Sequence, residues 1–413
     1  MLARSVRVVL RLVSRHFLAL GLLPPICAAA IVGAIGAVPA TVGATPHADL
    51  YVSVGGSDSG RCSKPKPCAS FDRAYRVARP GQTVEVAAGT YPGQRIQFDG
   101  DKRSSHDVVF EPVRGASVRV AGEVFVDARH LEFRRMVFAD GWQTRSTAAD
   151  VTFRGIRSRQ LFIFSAQQVR VLGGAIGPSP RATYDSIISS ATGGPPPRNI
   201  LFDGVYFHDW VDVDPGQANH IECLQIGSGV NVIIRRSRFR RCGTHDIFVR
   251  SWGSLNETTH PLRSFTIENN FFDKTTNGYY SVQVAEGLDP NTRCENFLIR
   301  NNSALQGFHI ACPAGGQFGV QVYANILPWM SRGECDLAGS RWDYNVYASG
   351  QRCGGHDRIG ASGFVDPGQF DLRLRRGAAA INHGDPNSFP RVDIFGQRRP
   401  KGRRPDAGAD ERA

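Results

Sequence analysis

Five stretches in the carboxyl-terminal half repeat one pattern, and this pattern decides the fold. They read VIIRRSRF from Val232, FTIENNFF from Phe265, FLIRNNSAL from Phe297, VQVYANIL from Val320 and SRWDYNVY from Ser340. Apolar and polar residues alternate in each stretch, which is the period of a β-strand with one buried side. The stretches therefore predict short strands that are separated by turns.

The same pattern begins earlier in the chain. Further repeats start at Leu131, Val151, Val169 and Ile200, and successive starts lie 20, 18, 31, 32, 33, 32, 23 and 20 residues apart. Spacings of this size indicate stacked supersecondary units, and the two-residue alternation excludes helical repeats. We expect an all-β right-handed parallel β-helix, a solenoid of about ten coils with two or three short strands each.

Asparagine recurs at one position of the repeat. Asn270, Asn302, Asn325 and Asn345 each stand five residues after a repeat start, and Ser237 takes that place in the Val232 repeat. Stacked turns that hold Asn at one level can form an amide ladder, in which each side chain bonds the turns above and below. We therefore expect these side chains to be buried and bonded to one another.

Helical periodicity is nearly absent. Gly makes up 45 of 413 residues, which favours tight turns over long helices. One short helix is predicted from Ser70 to Ala78, where Phe71, Ala74, Tyr75 and Ala78 share one side. Pro80 and Gly81 end it.

The first 44 residues resemble a leader rather than part of the fold. Arg4, Arg7, Arg11 and Arg15 precede a mostly apolar run, and small-residue cleavage sites end at Ala40 and Ala44. We interpret residues 1–44 as a cleaved export signal. An uncleaved membrane anchor is the alternative, because the apolar stretch is long for such a signal. Residues 45–397 are then the β-helix domain, and residues 398–413 are a basic, solvated carboxyl-terminal tail.

Eight cysteines follow the leader, and an even number after export favours disulfides. Sequential pairing joins Cys62 to Cys68, Cys223 to Cys242, Cys294 to Cys312 and Cys335 to Cys353, with separations of 6, 19, 18 and 18 residues. The alternative is zinc, but the chain has no CxxC pair and no adjacent His to support it. Separations of 18 or 19 residues are close to one short coil.

At both ends the chain resembles the secreted right-handed β-helix proteins of the pectin-lyase-like superfamily. The stretches that carry the resemblance are Tyr51–Ser53, Gly56–Gly60, Ser70–Ala78, Pro80–Val84 and Gly89–Tyr91 near the start, and Asp371–Leu374, Ala380–Ile381, Gly384–Pro386, Asp393–Gly396 and Pro405–Gly408 near the end. The resemblance implies the fold and an extracellular or cell-surface location. It does not imply one activity, because this fold hosts lyases, hydrolases, epimerases and adhesins.

The longest repeats, between Ile200 and Phe297, each carry about ten extra residues, and loops on a rigid solenoid commonly hold its function. Polar residues gather in the same window. We expect an outward groove that contains Glu222, Asp246, Arg250, Tyr279 and His309. The candidate catalytic residues are His220, Glu222, His245, Asp246 and Arg250, and the candidate substrate-binding residues are Trp210, Trp252, Tyr279, Gln283 and His309.

This chemistry fits a lyase that acts on a uronate-containing polysaccharide. Such an enzyme must neutralise the uronate carboxylate, remove the C5 proton and assist the leaving oxygen. Neutralisation comes either from Ca²⁺ held by Asp209, Asp212 and Asp214 or from an arginine.

The alternatives are a glycoside hydrolase and a glycan-binding or structural solenoid without catalysis. The chain shows no nucleotide or nucleic-acid motif. We expect a monomer whose partner is an acidic polysaccharide and whose contact with membranes is limited to the leader.

Overall fold

The computed structural model describes residues 49–182, 185–212, 221–250, 261–284, 294–311, 319–337 and 340–412. All of them belong to the compact unit Pro46–Ala413. The predicted leader, residues 1–44, lies outside the described residues. Within the described ranges, no helix is long and apolar enough to cross a membrane.

One side of the coil stack, face A, is a parallel sheet of thirteen strands. Its register pairs Leu131 with Val151, Val151 with Val169, and Ile200 with Val232. The repeat spacing therefore equals the coil length, and the prediction of a parallel β-helix is confirmed. The strands of face A are Leu50–Val52, Thr83–Val86, Val108–Pro112, Arg129–Arg134, Ala149–Arg154, Gln167–Leu172, Arg198–Asp203, Gly229–Arg235, Leu262–Glu268, Cys294–Glu295, Phe297–Arg300, Val320–Tyr323 and Ser340–Asp343.

A second parallel sheet of nineteen strands forms the other two sides. The long strands Gly89–Ile96 and Val118–Val126 span both sides, and later coils divide them into two short strands. Face B contains Val137–Phe138, Arg157–Ser158, Ala175–Ile176, Tyr206–His208, Arg238–Arg240, Phe271–Phe272, Ser303–Ala304, Ile326–Leu327, Val346–Tyr347 and Arg358–Ile359. Face C contains Trp142–Thr144, Leu161–Phe164, Ile187–Ser189, Leu224–Ile226, Ile247–Val249, Val282–Val284 and Phe308–Ile310. Each coil runs through faces A, B and C and returns to face A with the right-handed winding of parallel crossovers.

Smaller elements complete the described part of the chain. They are two helices, Phe71–Val77 and Arg332–Cys335, the 3₁₀-helix Pro367–Gln369, the parallel pair Ser179–Ala182 with Trp210–Asp212, and the antiparallel pair Phe364–Asp366 with Asp371–Leu374. The first helix confirms the predicted capping helix. Ser70 is its N-cap and accepts a hydrogen bond from the Arg73 amide, and Phe71, Ala74 and Tyr75 are buried against the first coils.

The inward side chains of the three faces form one continuous core in which residues stack from coil to coil. Phe207 stacks on Phe239 with a centroid distance of 4.7 Å, and Phe239 stacks on Phe272 at 5.0 Å. Burying a Phe side chain contributes about 1.5–3 kcal/mol. Each ring is covered by the rings of neighbouring coils, so a single coil would not be stable by itself.

The predicted asparagine ladder is confirmed at the corner between faces A and B. The Asn302 amide donates to the Asn325 Oδ1 at 3.0 Å, and its Nδ2 donates to the same oxygen at 2.9 Å and to the Ile267 carbonyl at 2.9 Å. The same arrangement joins Asn270 to Asn302 and Asn325 to Asn345. Each ladder residue thus forms hydrogen bonds with backbone N–H and C=O groups of the coils on both sides of it.

Three predicted disulfides are present: Cys62–Cys68, Cys223–Cys242 and Cys335–Cys353. Cys294 is also disulfide-bonded, and Cys312 lies outside the described residues. Disulfides of this number are typical of proteins in oxidising compartments, which fits an extracellular location.

The prediction of a solvated carboxyl-terminal tail is wrong. The side chains of Arg399 and Glu411 have no exposed surface and form an ion pair of 3.2 Å. Asn301 Nδ2 donates to the Asp406 carbonyl, and the Ala409 amide donates to Ser303 Oγ. The segment covers the last coils through these contacts, while Arg398, Lys401, Arg403 and Arg404 stay exposed on its outer side.

Candidate active site on face C

Four strands of face C lie in register at the predicted window. Leu224, Ile247, Val282 and Phe308 are aligned with one another and point into the core. Their next residues form an outward column of Gln225, Phe248, Gln283 and His309. The predicted orientations are correct for the inward Ile247, Val282 and Phe308, because alternation holds within a regular strand. Phe248, expected to face outward, is only 3% exposed. The sequence also predicts an inward Tyr280 and an outward Ser281, and the structure has the reverse.

The alternation fails in the corner that precedes these strands. Glu222 and Asp246 have no exposed surface, and His245 is 3% exposed, so the prediction that Glu222 and Asp246 face outward is wrong. The Glu222 amide donates to Asp185 Oδ1 at 2.7 Å. No hydrogen bond or ion pair joins Glu222, Asp246 and Arg250 to one another, so these three predicted catalytic residues do not converge.

The Asp246 carboxyl group is completely buried. Burial raises its pKa well above the ordinary value of 3.8, and the nearby Ser281 hydroxyl only partly opposes this effect. Burial without a cationic partner favours the protonated form of a carboxyl group. Asp246 is therefore a structural group beneath the surface of face C.

Of the metal and aromatic residues predicted in the first long loop, the structure describes the side chains of Asp209 and Trp210. Trp210 is completely buried, which removes it from any sugar-binding surface. Asp209 is bonded to Arg241 and, at 2.7 Å, to His208 Nδ1. These contacts lower the pKa of Asp209 despite an opposing effect of burial. Asp212 ends the strand Trp210–Asp212, and its side chain lies outside the described residues, as do His220, Asp214 and Trp252.

A different set of three side chains converges at the edge of face C. The Tyr280 hydroxyl donates to Glu334 Oε1 at 2.9 Å. His309 Nδ1 lies 3.1 Å from Glu334 Oε1 and 3.0 Å from Glu334 Oε2. The His309 side chain is 26% exposed and that of Glu334 9% exposed. One nearly buried carboxylate therefore positions a histidine and a tyrosine that both reach the surface.

The short helix Arg332–Cys335 brings Glu334 to this place. Ser331 is the N-cap and accepts a hydrogen bond from the Glu334 amide. The Cys335–Cys353 disulfide fixes the other end of the helix. Glu334 is not among the residues predicted from the sequence, although Ser331-Arg-Gly-Glu334 has the spacing of a helix capping box. In that motif the glutamate bonds the N-cap amide, whereas here its side chain is directed to Tyr280 and His309.

Aromatic side chains surround this site. Tyr279 and Trp329 are 56% and 39% exposed. Tyr279 meets the His245 ring edge-on at 5.6 Å, and Trp329 lies 6.4 Å from the Tyr280 ring. Gly307 lies beneath them, and a Cβ there would come within 3.3 Å of the Trp329 ring. The predicted binding residue Tyr279 thus stands at the surface, and buried His245 supports its ring.

The hydrogen bonds define the protonation of the three residues. An ionised carboxylate only accepts, so Nδ1 of His309 donates to Glu334, and in the neutral form of the ring Nε2 presents its lone pair. Burial and the neighbouring Glu334 raise the pKa of Tyr280 to about 12, so its phenol stays protonated. The site therefore offers a proton acceptor and a proton donor on one carboxylate.

Two other predicted residues share this surface. Gln283 lies next to His309 in the outward column, and Arg250 follows the strand Ile247–Val249. The strand Val282–Val284 separates Arg250 from the His309 strand, which corresponds to a lateral distance of about 10 Å. A cation and an amide therefore flank the proton acceptor on the same face.

Among the described residues, one group has the composition of a metal site, and it lies on face A. Asp107, His130 and Asp150 have ligand atoms within 4.8 Å of one another. Arg170 donates to Asp150 Oδ1 at 2.6 Å, and its guanidinium lies 3.8 Å from Asp107. Burial, followed by the charge of Asp150, raises the pKa of Asp107 to about 6. The arginine supplies the positive charge that this group requires.

Comparisons with known proteins concern the fold. No protein-family model and no curated protein matched the chain. Pectate lyase Pel9A is 13% identical, with a TM-score of 0.42 over 88% of this chain and 96% of that one. A rhamnogalacturonan lyase is 10% identical, with a TM-score of 0.33 over 76% and 90%. The PL6 family alginate lyase AlyGC is 15% identical, with a TM-score of 0.27 over 67% and 50%. The register of the chain's own strands, rather than these overlaps, establishes that it has the parallel β-helix fold.

Proposed function

We propose that this protein is a secreted carbohydrate-active enzyme that cleaves an acidic, uronate-containing polysaccharide by β-elimination. The observation that carries the proposal is the pairing of His309 and Tyr280 on the Glu334 carboxylate. The pair lies at the surface of a solenoid, beside the exposed aromatic rings of Tyr279 and Trp329. Flat aromatic rings complement the apolar faces of sugars, and a solenoid surface suits an extended polymer.

In this mechanism, His309 Nε2 removes the C5 proton of the uronate. The electron pair of that C–H bond forms the C4–C5 double bond, and the bond between C4 and the glycosidic oxygen breaks. The Tyr280 hydroxyl supplies the proton to the departing oxygen. Glu334 contacts both groups, so it relays the Nδ1 proton of His309 to the Tyr280 oxygen. Exchange with water then removes the proton from Nε2 and restores the one on Nδ1.

The uronate carboxylate must be neutralised before its C5 proton becomes acidic. Arg250 is the described cation on this face, and a guanidinium matches a carboxylate in geometry and charge. Calcium remains the alternative, because Asp212 and Asp214 of the predicted ligand set can still contribute to it. The EDTA arm of the experiment below separates the two.

The first test is a polyuronate panel with the secreted chain, followed by the absorbance of unsaturated uronate, with and without EDTA. We expect product to form from at least one polyuronate. We expect His309→Gln and Tyr280→Phe to reduce turnover by about 10²–10⁴-fold, the usual contribution of a general acid or base. If Arg250 neutralises the substrate, activity survives EDTA.

His356 provides the matched control. Its Nδ1 lies 2.8 Å from Asp343, and its ring stacks on Tyr344 at 4.4 Å, so it repeats the carboxylate–histidine–tyrosine composition elsewhere. His356→Gln should keep full activity. Equal activity of His309→Gln and the wild-type protein would contradict the assignment. Glycan binding without any new unsaturated or reducing ends would support the non-catalytic alternative.

A further inference from the structure

A cleft with a strongly basic lining lies on a different part of the molecule. It is formed where the carboxyl-terminal segment passes over the corner between faces A and B, and its volume is about 490 Å³. The residues Phe389–Val392 form one wall, and the coils supply the other. The lining side chains from the coils are Arg235, Arg236, Glu268, Asn269 and Arg300.

The positive charge of this cleft is only partly neutralised. Asp203 accepts hydrogen bonds from Arg235 and Arg236, and Glu268 accepts one from Arg300 at 2.9 Å. Arg391 is exposed, and its side chain has no hydrogen bond or ion pair within the described part of the chain. Four guanidinium groups therefore face two carboxylates, and the difference is two positive charges.

The cleft also offers groups that recognise more than charge. Asn269 is 1% exposed and donates through Nδ2 to the Val392 carbonyl at 2.7 Å. Its Oδ1 has no hydrogen-bond partner among the described residues, so a buried acceptor in the cleft wall is left open. Phe389 adds an aromatic surface to the same wall.

The basic surface continues into a neighbouring cleft of about 580 Å³, with which it shares Arg236. Arg238 and Arg240 line this second cleft together with Tyr206 and Phe370. Arg240 lies 3.5 Å from Asp273, and its guanidinium lies over the Phe370 ring at 5.8 Å. Cations and aromatic rings thus alternate along one edge of the solenoid, over a length suited to a chain rather than to a single ion.

We infer that this edge is a second binding site, which holds an anionic glycan away from the face C site. A sugar carboxylate would bind Arg300 and Arg391, and a ring face would lie on Phe389. The class of glycan rests on the proposed function, but binding here requires no turnover. The site would retain a long polymer between successive cleavages.

The test is calorimetric titration of the double variant His309→Gln/Tyr280→Phe with hexauronates, so that cleavage does not interfere. Adding Arg391→Ala should weaken one binding event by about tenfold, since it removes a charge-assisted hydrogen bond from an exposed side chain without an internal partner. Arg114→Ala is the matched control, because it removes the same charge from an exposed turn in an early coil. The control should leave the titration unchanged.

Maltohexaose and inorganic phosphate are the comparison ligands. We expect the neutral sugar not to bind at this edge, and we expect phosphate to bind far more weakly than the hexauronate. Equal affinities of the Arg391→Ala and Arg114→Ala proteins would overturn the inference. So would phosphate binding as tightly as the hexauronate, since the site would then recognise only an anion. An inactive enzyme that still shows the Arg391-dependent event would refute the lyase and leave the second site standing.

Discussion

The two corners of each coil that flank face B are built in opposite ways. From Arg134 onward, two residues always separate a face A strand from the next face B strand, as in Arg235 to Arg238. The corner between faces B and C varies from two residues, between Ser158 and Leu161, to fifteen, between His208 and Leu224. From Ser237 onward the first corner carries the ladder, and in earlier coils buried apolar residues such as Ile156 and Val205 take the same place. The second corner has no such constraint, and it is there that Glu222, Asp246 and Tyr280 lie.

The comparison shows how this solenoid separates stability from function. A ladder satisfies its polar groups with identical neighbours, so any insertion would break bonds in two coils at once. A corner without a ladder tolerates extra residues because loop closure costs little as length increases. Function can therefore accumulate at the second corner, while the first holds the winding in register.

Breaking the ladder should have the largest effect. Asn302→Ala removes the two hydrogen bonds that Asn302 accepts from Asn270 and the two that its Nδ2 donates. We expect the free energy of unfolding to fall by about 3–5 kcal/mol, measured by urea denaturation. Asn387→Ala, at an exposed position outside the ladder, should change it by less than about 0.5 kcal/mol. Similar values for both variants would show that the ladder does not hold the coils.

Removing a disulfide should have the next largest effect and sharpens the comparison at the active site. Cys335→Ser/Cys353→Ser opens an 18-residue loop and should cost about 3 kcal/mol of stability. Because the helix that carries Glu334 then loosens, turnover should also fall, by about tenfold or more.

Cys62→Ser/Cys68→Ser is the matched pair at the opposite end. It opens a 6-residue loop and should cost about 2 kcal/mol without a change in turnover per folded molecule. An equal loss of turnover in both double variants would argue against a positioning role for the second disulfide.

Near pH 4, Asp246→Asn should have the smallest effect of these variants, and the effect should grow as pH rises. The folded pKa of Asp246 is raised, so its stabilising contribution is complete below about pH 4 and decreases as pH rises toward the folded pKa. Asn cannot ionise. Between about pH 4 and the folded pKa of Asp246, the free energy of unfolding of the variant should therefore rise relative to that of the wild-type protein by about 1.4 kcal/mol per pH unit. Thermal unfolding between pH 4 and pH 8 measures the difference. A large loss of turnover at unchanged stability would instead return Asp246 to the catalytic residues.

Much of the fold could be predicted because its rules are local. Alternation identified the inward residues Ile247, Val282 and Phe308, and the recurring Asn identified a ladder whose bonds join identical positions. The cysteine separations matched one coil, which is why sequential pairing was correct for Cys223 and Cys335. Each of these features repeats with the period of the winding, so the sequence displays it directly.

The sites could not be predicted in the same way, because their partners follow no period. Glu334 lies 54 residues from Tyr280 and 25 from His309, and the helix that unites them belongs to another coil. Arg391 reaches the coils only because the carboxyl-terminal segment folds back over them. Sequence alone determined the solenoid, its register and three of its disulfides, since these depend on neighbours at fixed spacing. Tertiary structure alone decided which polar groups are buried, as at Glu222 and Asp246, and which meet at the surface, because loop lengths at the corners set those contacts.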